Sequence, residues 1–163
     1  MTTVDPALYE AVRTCPLSKE LTAEQVGILA ALMKLQSYQP GQLLAPEGST
    51  DNHLYVVVEG SLSVLKSAGT PDEALLNTLS VGDFAHELGF LDGAARYASL
   101  VAGTAAKVLL LERQQLESLI TSDPLVLYRV MGAIVRTVHR IQTRLSMQAS
   151  ELTNYIVKQH GRY

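Results

Sequence analysis

Glycine-containing turns interrupt the middle of this chain at short intervals, and their spacing limits the folds that are open to it. Between Tyr38 and Gly103, short segments rich in valine, leucine and tyrosine alternate with these turns. Such a pattern is typical of antiparallel barrels and rolls. The turns lie at Pro40-Gly41, Gly48-Ser49, Glu59-Gly60, Ala68-Gly69, Gly82-Asp83 and Gly103. We therefore predict a mainly β fold with flanking helices, an antiparallel β-roll of the jelly-roll type.

Two helices are predicted before this β region. Asp5-Pro6 has the form of an N-cap followed by proline at the first helical position, which predicts a short helix over residues 6–14. Thr22 and Gln25 have the spacing of a capping box and precede a run of apolar residues on one helical face. We therefore expect a second helix over residues 23–35.

Two further helices are predicted after the β region. Residues 107–111 are apolar enough to form a buried closing strand, and residues 112–120 are expected to form a short helix. Asp123-Pro124 repeats the signal of an N-cap and proline and begins the longest helix of the chain. We divide the chain into a β-roll with N-terminal helices, residues 1–122, and a C-terminal dimerisation helix, residues 123–163.

The last helix carries a heptad seam with one polar member. Its positions step by four and three residues, which over four repeats favours a two-helix parallel coiled coil. We therefore predict a homodimer through residues 124–158. Alternatively, the first half of the helix lies back on the roll, because Val130 and Val135 add a second apolar strip there. The seam consists of Leu127, Met131, Ile134, Val138, Ile141, Leu145, Gln148, Leu152 and Tyr155.

An acid, a short helical stretch and an arginine follow one another between Gly82 and Ala102. Glu87 precedes four residues that suffice for about one helical turn, and Arg96 follows nine positions after the acid. Free amides at the start of a turn, a guanidinium fork and a carboxylate that accepts from sugar hydroxyls predict a sugar-phosphate receptor. The alternative is that Glu87 and Arg96 pair with each other and fix the loop without a ligand.

This stretch resembles the phosphate-binding cassette of cyclic-nucleotide-binding domains, the family of catabolite-activator-type regulators, kinase regulatory subunits and gated channels. The family pattern reads roughly Gly-Asp-x-Phe-Gly-Glu-Leu-Ala-Leu-Leu, a short loop, then Arg-x-Ala-Ser/Thr. The resemblance implies that Glu87 holds the ribose 2′-hydroxyl, that Arg96 holds the cyclic phosphate and that amides near Leu88 and Gly89 complete the phosphate site. Ser99, the last motif position, is included among the ligand-binding residues. The matching residues are Gly82, Asp83, Glu87, Leu88, Leu91, Arg96, Ala98 and Ser99.

The same resemblance extends beyond the cassette, to about residues 15–145. Residues 40–48 and 54–64 are similar to the strand and turn signature of the family. In the resembled regulators the middle of the long helix meets the nucleotide base, which places Gln148 there. A glutamine side chain both donates and accepts, which suits a purine edge. Gln148 is equally explained as a polar seam residue that sets coiled-coil register.

Two residues of the cassette depart from the family pattern. His86 stands where the family has glycine, and Tyr97 stands where it has a small residue after the arginine. A side chain at a position of close backbone approach blocks the pocket or reshapes it. His86 either adds positive charge beside a phosphate or fills its space, while Tyr97 is either a lid or a ring on the surface. We count both among the candidate ligand-binding residues.

Composition argues against several other classes of function. The single cysteine, Cys15, allows no internal disulfide and no thiolate cluster. The four histidines form no His-x-His pair, so neither a cupin-type metal site nor a haem site at His86 is expected. The chain has no Gly-x-Ser-x-Gly sequence, so we predict no enzyme and no catalytic residue. Without a membrane-length apolar run or a signal peptide, cytoplasmic residence is expected.

The sequence thus predicts a free-standing cyclic-nucleotide-binding-like regulatory module. It is expected to be dimeric, to bind cAMP ahead of cGMP, and to signal to a partner protein. No helix-turn-helix domain is expected beyond the last helix, so direct DNA binding is not expected. The alternatives are a degenerate roll that acts as a dimeric interaction module without a ligand, and an altered cassette that binds a different small anion.

Overall fold

The structure of this protein is a computed structural model, which describes residues 3–160. Within these residues the chain begins with helices, continues through eight strands interrupted by one short helix, and ends with two helices. The elements are α1 (Pro6–Thr14), a 3₁₀ turn (Pro16–Ser18), α2 (Ala23–Leu32), β1 (Met33–Tyr38), β2 (Leu43–Ala45), β3 (His53–Glu59), β4 (Leu62–Lys66), β5 (Ala74–Leu79), β6 (Phe84–Ala85), α3 (Glu87–Asp92), β7 (Ser99–Ala102), β8 (Ala106–Glu112), α4 (Arg113–Ser122) and α5 (Pro124–His160).

The strands form two antiparallel four-stranded sheets. The strand order is β1-β8-β3-β6 in one sheet and β2-β7-β4-β5 in the other. Side chains from all eight strands share one buried cluster, which fills the roll between the sheets. This arrangement confirms the predicted antiparallel β-roll with flanking helices and a long C-terminal helix.

Strand β3 shows why the middle of the chain is so apolar. Leu54 and Val56 belong to the cluster that the sheet shares with the helices, whereas Tyr55 and Val57 belong to the cluster inside the roll. Successive side chains of a strand point to opposite faces, so a strand covered on both faces needs apolar residues at every position. The run of four buried residues therefore follows from the position of β3 between two cores.

The N-terminal caps form as predicted, but α2 is shorter than expected. The side chain of Asp5 accepts from the amide of Ala7 at 2.8 Å, and Thr22 and Gln25 form both bonds of a capping box. The prediction of a helix to residue 35 is wrong, because α2 ends at Leu32 and the next residues form β1. Pairing of β1 with β8 along its whole length overrides the helical periodicity there.

Helix α5 packs on the body through its first half only. Val130 and Ile134 are fully buried against the core, whereas every residue from 142 to 159 is exposed. Because Ile134 faces the body, the predicted seam does not run continuously towards a partner, and the alternative that the first half lies on the roll is confirmed. Among residues 3–160 no helix is long and apolar enough to cross a bilayer.

Candidate functional site

The cassette that contains the predicted site is built from β6, α3 and the loop that follows. β6 pairs with β3, and the buried ring of Phe90 fixes α3 to the helical core. Helix α3 ends at Gly93, whose φ of 76° lies in the left-handed region and whose amide donates to the carbonyl of Gly89 at 2.8 Å. The helical turn expected after Glu87 is therefore present, as six residues.

Arg96 is the most buried charged side chain of this cassette, with 4% of the side chain exposed. Its Nη2 donates to Oδ2 of Asp51 at 3.2 Å and to the carbonyl of His53 at 3.5 Å. The guanidinium carbon lies 5.0 Å from the ring centre of Tyr55, at cation–π distance. Nε of Arg96 is buried and has no hydrogen-bond partner. The guanidinium group is thus held by hydrogen bonds at Nη2, while the hydrogen bond that Nε could donate is not made.

Asp51 is a site residue that the sequence did not reveal. Besides Arg96, its carboxylate accepts from the hydroxyl of Tyr55 at 2.5 Å, and its Oδ1 lies 2.5 Å from Nδ1 of His53. Burial raises the pKa of Asp51, but the hydrogen bonds from Tyr55 and His53 and the charge of Arg96 outweigh this and lower it. The partner of Arg96 in the ligand-free chain is therefore Asp51 and not Glu87, the pairing that sequence reasoning had considered.

A cavity of about 720 Å³ lies between the cassette, strands β4 and β5, and the middle of α5. This volume is within the range of about 300–1,000 Å³ that is usual for small-molecule sites. Six of the eight residues predicted to bind a ligand line this cavity. They are His86, Glu87, Gly89, Arg96, Tyr97 and Gln148.

Glu87 lies in the first turn of α3, in the wall of this cavity. The side chain is half-buried, and burial raises the pKa of its carboxyl group, while a hydrogen bond from its own amide acts in the opposite direction. Within the described part of the chain, Arg96 pairs with Asp51 and not with Glu87, so the carboxylate of Glu87 can receive a ligand group independently of that pair. A carboxylate with free acceptor capacity can receive hydrogen bonds from hydroxyl groups of a ligand.

His86 has an unusual backbone and a tightly placed ring. Its φ of 68° is in the left-handed region, which a residue with a side chain seldom adopts. A Cβ built on Gly89 would lie 2.1 Å from Cε1 of the imidazole, so the ring rests directly on this glycine. Nε2 of His86 is buried without a partner. Burial, followed by the charge of Arg96, lowers the pKa of His86, although Asp51 and Asp92 act against this.

Tyr97 and Ser99 take different positions from those expected of ligand groups deep in the site. Tyr97 borders the cavity with 70% of its surface exposed, so the surface alternative describes it better than a packed lid. Ser99 is buried and its hydroxyl accepts from the amide of Glu47 at 3.0 Å, and it is not among the residues that line the cavity. Leu88 belongs to α3, but its side chain lies outside the described part of the structure.

Comparison with known proteins supports the same assignment. A sequence profile of the family described as "Cyclic nucleotide-binding domain" matches residues 35–123, just over half of the chain. The chain is 26% identical over 136 residues to the cyclic AMP receptor protein of Thermus thermophilus, covering 83% of this chain and 63% of that protein. It is 32% identical over 103 residues to the cAMP-activated global transcriptional regulator CRP of Salmonella typhimurium, covering 63% and 49%.

A solved structure shows the same fold. The cyclic nucleotide-binding domain from Methylobacillus flagellatus superposes with a TM-score of 0.77, covering 91% of this chain and 84% of that one at 19% identity. The chain spans less than two thirds of the length of the two curated relatives. Those relatives are named as a receptor and a transcriptional regulator, which is consistent with the prediction that this chain is not an enzyme.

Proposed function

The chain belongs to the cyclic nucleotide-binding domain family, and from this premise we propose that it is a dimeric regulatory module that binds a purine cyclic nucleotide, cAMP ahead of cGMP. The two curated relatives are named for cyclic AMP, which supports this order of ligands. In this proposal the module acts in the cytoplasm and passes its signal to a partner protein.

One observation carries the proposal: the buried guanidinium of Arg96 lies in a cavity wall with Nε unpartnered. A buried N–H without an acceptor costs about 1–3 kcal/mol, so a group that supplies an acceptor there is favoured. The negative charge of Asp51 holds only the Nη2 side of the fork. A phosphate oxygen at Nε would use the fork geometry that suits guanidinium to phosphate.

Glu87 would bind the ribose of the same ligand. It stands on the same cavity wall as Arg96, and its carboxylate has free acceptor capacity. A raised pKa means that the ionised carboxylate is costly in the ligand-free chain, so hydroxyl donors from a sugar would stabilise it. An acid and an arginine on one wall match a sugar phosphate better than either would match a simple anion.

The opposite side of the cavity is mostly apolar, although Asn77 and Arg144 also line it, and it suits a base. Val64, Leu76 and Leu79 come from β4 and β5, and Ile141 and Gln148 come from α5. Apolar side chains can cover the faces of a purine, and an amide side chain can donate to and accept from its edge. The position of Gln148 in the cavity supports its role at the base rather than in a coiled-coil seam.

The dimer, in this proposal, forms along a shifted seam, which keeps every second member of the predicted seam and moves the others by one residue. No member of the shifted seam is fully buried against the body, and Tyr128 is 76% exposed. Successive members again step by three and four residues, as a coiled coil requires. The shifted seam consists of Tyr128, Met131, Val135, Val138, Gln142, Leu145, Ala149 and Leu152.

The two proposed sites meet on α5. Leu145 belongs to the shifted seam and also lines the cavity, while Ile141 and Gln148 line the cavity alone. A ligand that contacts both the cassette and α5 binds differently to arrangements that differ in how the helix packs. Such a difference in affinity shifts the population of the two arrangements and would be the signal that a partner protein detects.

Isothermal titration of the dimer with cAMP and cGMP tests the binding proposal. We expect Arg96→Ala to weaken cAMP binding by about 2–5 kcal/mol, the cost of removing one partner of a buried charge pair, or roughly 30-fold to several-thousand-fold in Kd. The matched control is Arg140→Ala, which removes the same charge from an exposed position on α5 outside this cavity. Equal affinities of Arg96→Ala and the wild-type chain would refute the site.

A further inference from the structure

The contact between His86 and Gly89 is specific to the pair. The imidazole occupies the volume that any side chain at position 89 would need, since a Cβ there would lie 2.1 Å from Cε1 and 2.6 Å from Nε2 of the ring. Heavy atoms cannot approach so closely without displacement. The ring can therefore take this position only because residue 89 is glycine.

The ring also lies beside the group that is proposed to bind phosphate. The charge of Arg96 acts on the imidazole, and the two side chains border one cavity. Each of them carries a buried nitrogen without a partner, Nε in Arg96 and Nε2 in His86. Buried polar atoms in folded proteins nearly always have a hydrogen-bond partner. Two buried nitrogen atoms without a partner in the lining of one cavity therefore call for an explanation. We call the space between Gly89 and Arg96 the phosphate seat.

We propose that the His86 imidazole occupies the phosphate seat in the ligand-free chain and that an incoming nucleotide phosphate must displace it. This inference rests on the function proposed above. It makes His86 a residue that sets the affinity for the nucleotide. Once displaced, the ring can turn Nε2 towards a phosphate oxygen, which satisfies the orphaned nitrogen of each side chain.

Displacement would also change the protonation of the imidazole. The groups that face the ring are Arg96, Asp51 and Asp92 within the cassette region, with Glu87 adjacent and Arg144 across the cavity on α5. In the phosphate seat, burial and then the charge of Arg96 lower the pKa of the ring and so favour its neutral form. A ring that leaves the seat for an oxygen of the phosphate on Arg96 becomes less buried, and the charge of the phosphate offsets that of Arg96. The ring then gains a negative neighbour, so nucleotide binding should take up a proton near neutral pH.

The size of the effect follows from the fraction of molecules whose phosphate seat is empty. Affinity for a ligand is reduced in proportion to the fraction of the binding-competent state. Minor states of proteins are commonly populated at about 0.1–10%. Removal of the ring from the phosphate seat should therefore tighten nucleotide binding by about ten-fold to a thousand-fold.

The test is calorimetric titration of the dimer with cAMP and cGMP between about pH 5.5 and 8, the region in which histidine titrates. Each titration is made in two buffers of different ionisation enthalpy, so that proton uptake is measured along with affinity. The variants are His86→Gly, which removes the side chain, and His86→Asn, which has no ring and whose residue type tolerates a left-handed φ. His139→Ala, an exposed histidine on α5, is the matched control.

We expect His86→Gly and His86→Asn to bind cAMP at least ten-fold more tightly than the wild-type chain. Proton uptake on binding should be lost in His86→Gly and unchanged in His139→Ala. Wild-type affinity in both cassette variants would overturn this inference and leave the proposed function standing. Absence of cAMP and cGMP binding from every protein in the set would overturn both. Glycine adopts a φ of 68° without strain, so His86→Gly decides the question even if His86→Asn does not fold.

Discussion

Asp51→Asn should destabilise the ligand-free chain, because Asp51 is the anion on which the interior of the cassette is organised. The carboxylate receives Arg96, the hydroxyl of Tyr55 and the ring of His53. Asparagine has almost the same shape and keeps one side-chain carbonyl as an acceptor, but it has no charge to place against the guanidinium of Arg96. The substitution therefore tests the electrostatic part of the contact with little change in packing.

The loss of unfolding free energy expected for Asp51→Asn lies between two limits. Breaking a fully buried ion pair costs about 3–5 kcal/mol, and hydrogen bonds to charged groups contribute about 1.5–3 kcal/mol each. Asp51 is 20% exposed and Arg96 is 4% exposed, so water compensates only the aspartate side. Because asparagine retains part of the hydrogen bonding, we expect a loss of about 2–3 kcal/mol. In a domain of this size, that loss corresponds to roughly 4–12 °C in Tm.

The pH dependence of the loss has a definite sign. The pKa of Asp51 is lower in the folded chain than its ordinary value of about 3.9. Its contribution is therefore fully present above that ordinary value and disappears as the pH falls through the lowered pKa of the folded state. The difference in unfolding free energy between wild type and Asp51→Asn should be constant from pH 5 to 7 and shrink only below about pH 4.

Urea denaturation at one fixed protein concentration measures this difference, since dimerisation would make stability depend on concentration. Asp72→Asn is the matched control, because it removes the same charge from an exposed loop. We expect the control to lie within about 0.5 kcal/mol of wild type. Equal stabilities of Asp51→Asn and Asp72→Asn at pH 7 would refute the electrostatic role given to Asp51.

Two further substitutions test the ribose site and the dimer. Glu87→Gln should weaken cAMP binding by about 1–3 kcal/mol, as expected for a lost hydrogen bond to a charged group. The same substitution should slightly stabilise the free chain at pH 7, since burial makes the ionised carboxylate costly. Calorimetry and urea denaturation measure the two effects, and unchanged binding would remove Glu87 from the site. Leu152→Glu should dissociate the dimer in sedimentation analysis, whereas Met147→Glu, on another face of the exposed part of α5, should not. Equal behaviour of the two variants would contradict a dimer seam along this part of α5.

Local signals in the sequence carried the prediction of the fold. The N-caps at Asp5 and Thr22, the glycine turns and the cassette motif each depend on residues that lie close together along the chain. Interactions within a few residues are fixed by backbone geometry, so their residue types and spacing are sufficient to recognise them. The helical turn after Glu87 and the position of Arg96 in the same cavity wall were accessible in this way.

Contacts that join distant parts of the chain were not accessible. Asp51 lies 45 residues before Arg96, and no local pattern marks it as the partner. The ring of His86 lies on Gly89, a neighbour in sequence, but the contact depends on a left-handed φ that residue type alone does not announce. The departure from the family pattern at His86 was visible in the sequence. The glycine three residues later, Gly89, was the signal from which a contact between the two residues could have been predicted.

The phase of the long helix shows a third kind of limit. The predicted seam and the shifted seam share Met131, Val138, Leu145 and Leu152, and the remaining members of the shifted seam each lie one residue later. Because only every second member moves, the centre of the stripe rotates by about 50° around the axis of a helix with 3.6 residues per turn. Both stripes are apolar enough in the sequence. Only the body of the roll decides between them, since it takes Ile134 for its core and leaves Val135 exposed. The periodicity thus predicted a helix correctly and could not say which side the roll would use.

Native mass spectrometry of the purified chain, before and after addition of cAMP and then cGMP, tests the central claim most directly. One spectrum resolves the mass of the protein assembly and the mass that bound nucleotide adds to it. The number of subunits and the number of bound nucleotides are therefore measured together. The proposal predicts a dimer that gains one nucleotide per chain, with cAMP retained at lower concentration than cGMP, and an Arg96→Ala dimer that gains neither. Equal uptake by wild type and Arg96→Ala, or no uptake by the wild-type dimer, would contradict a nucleotide site at Arg96.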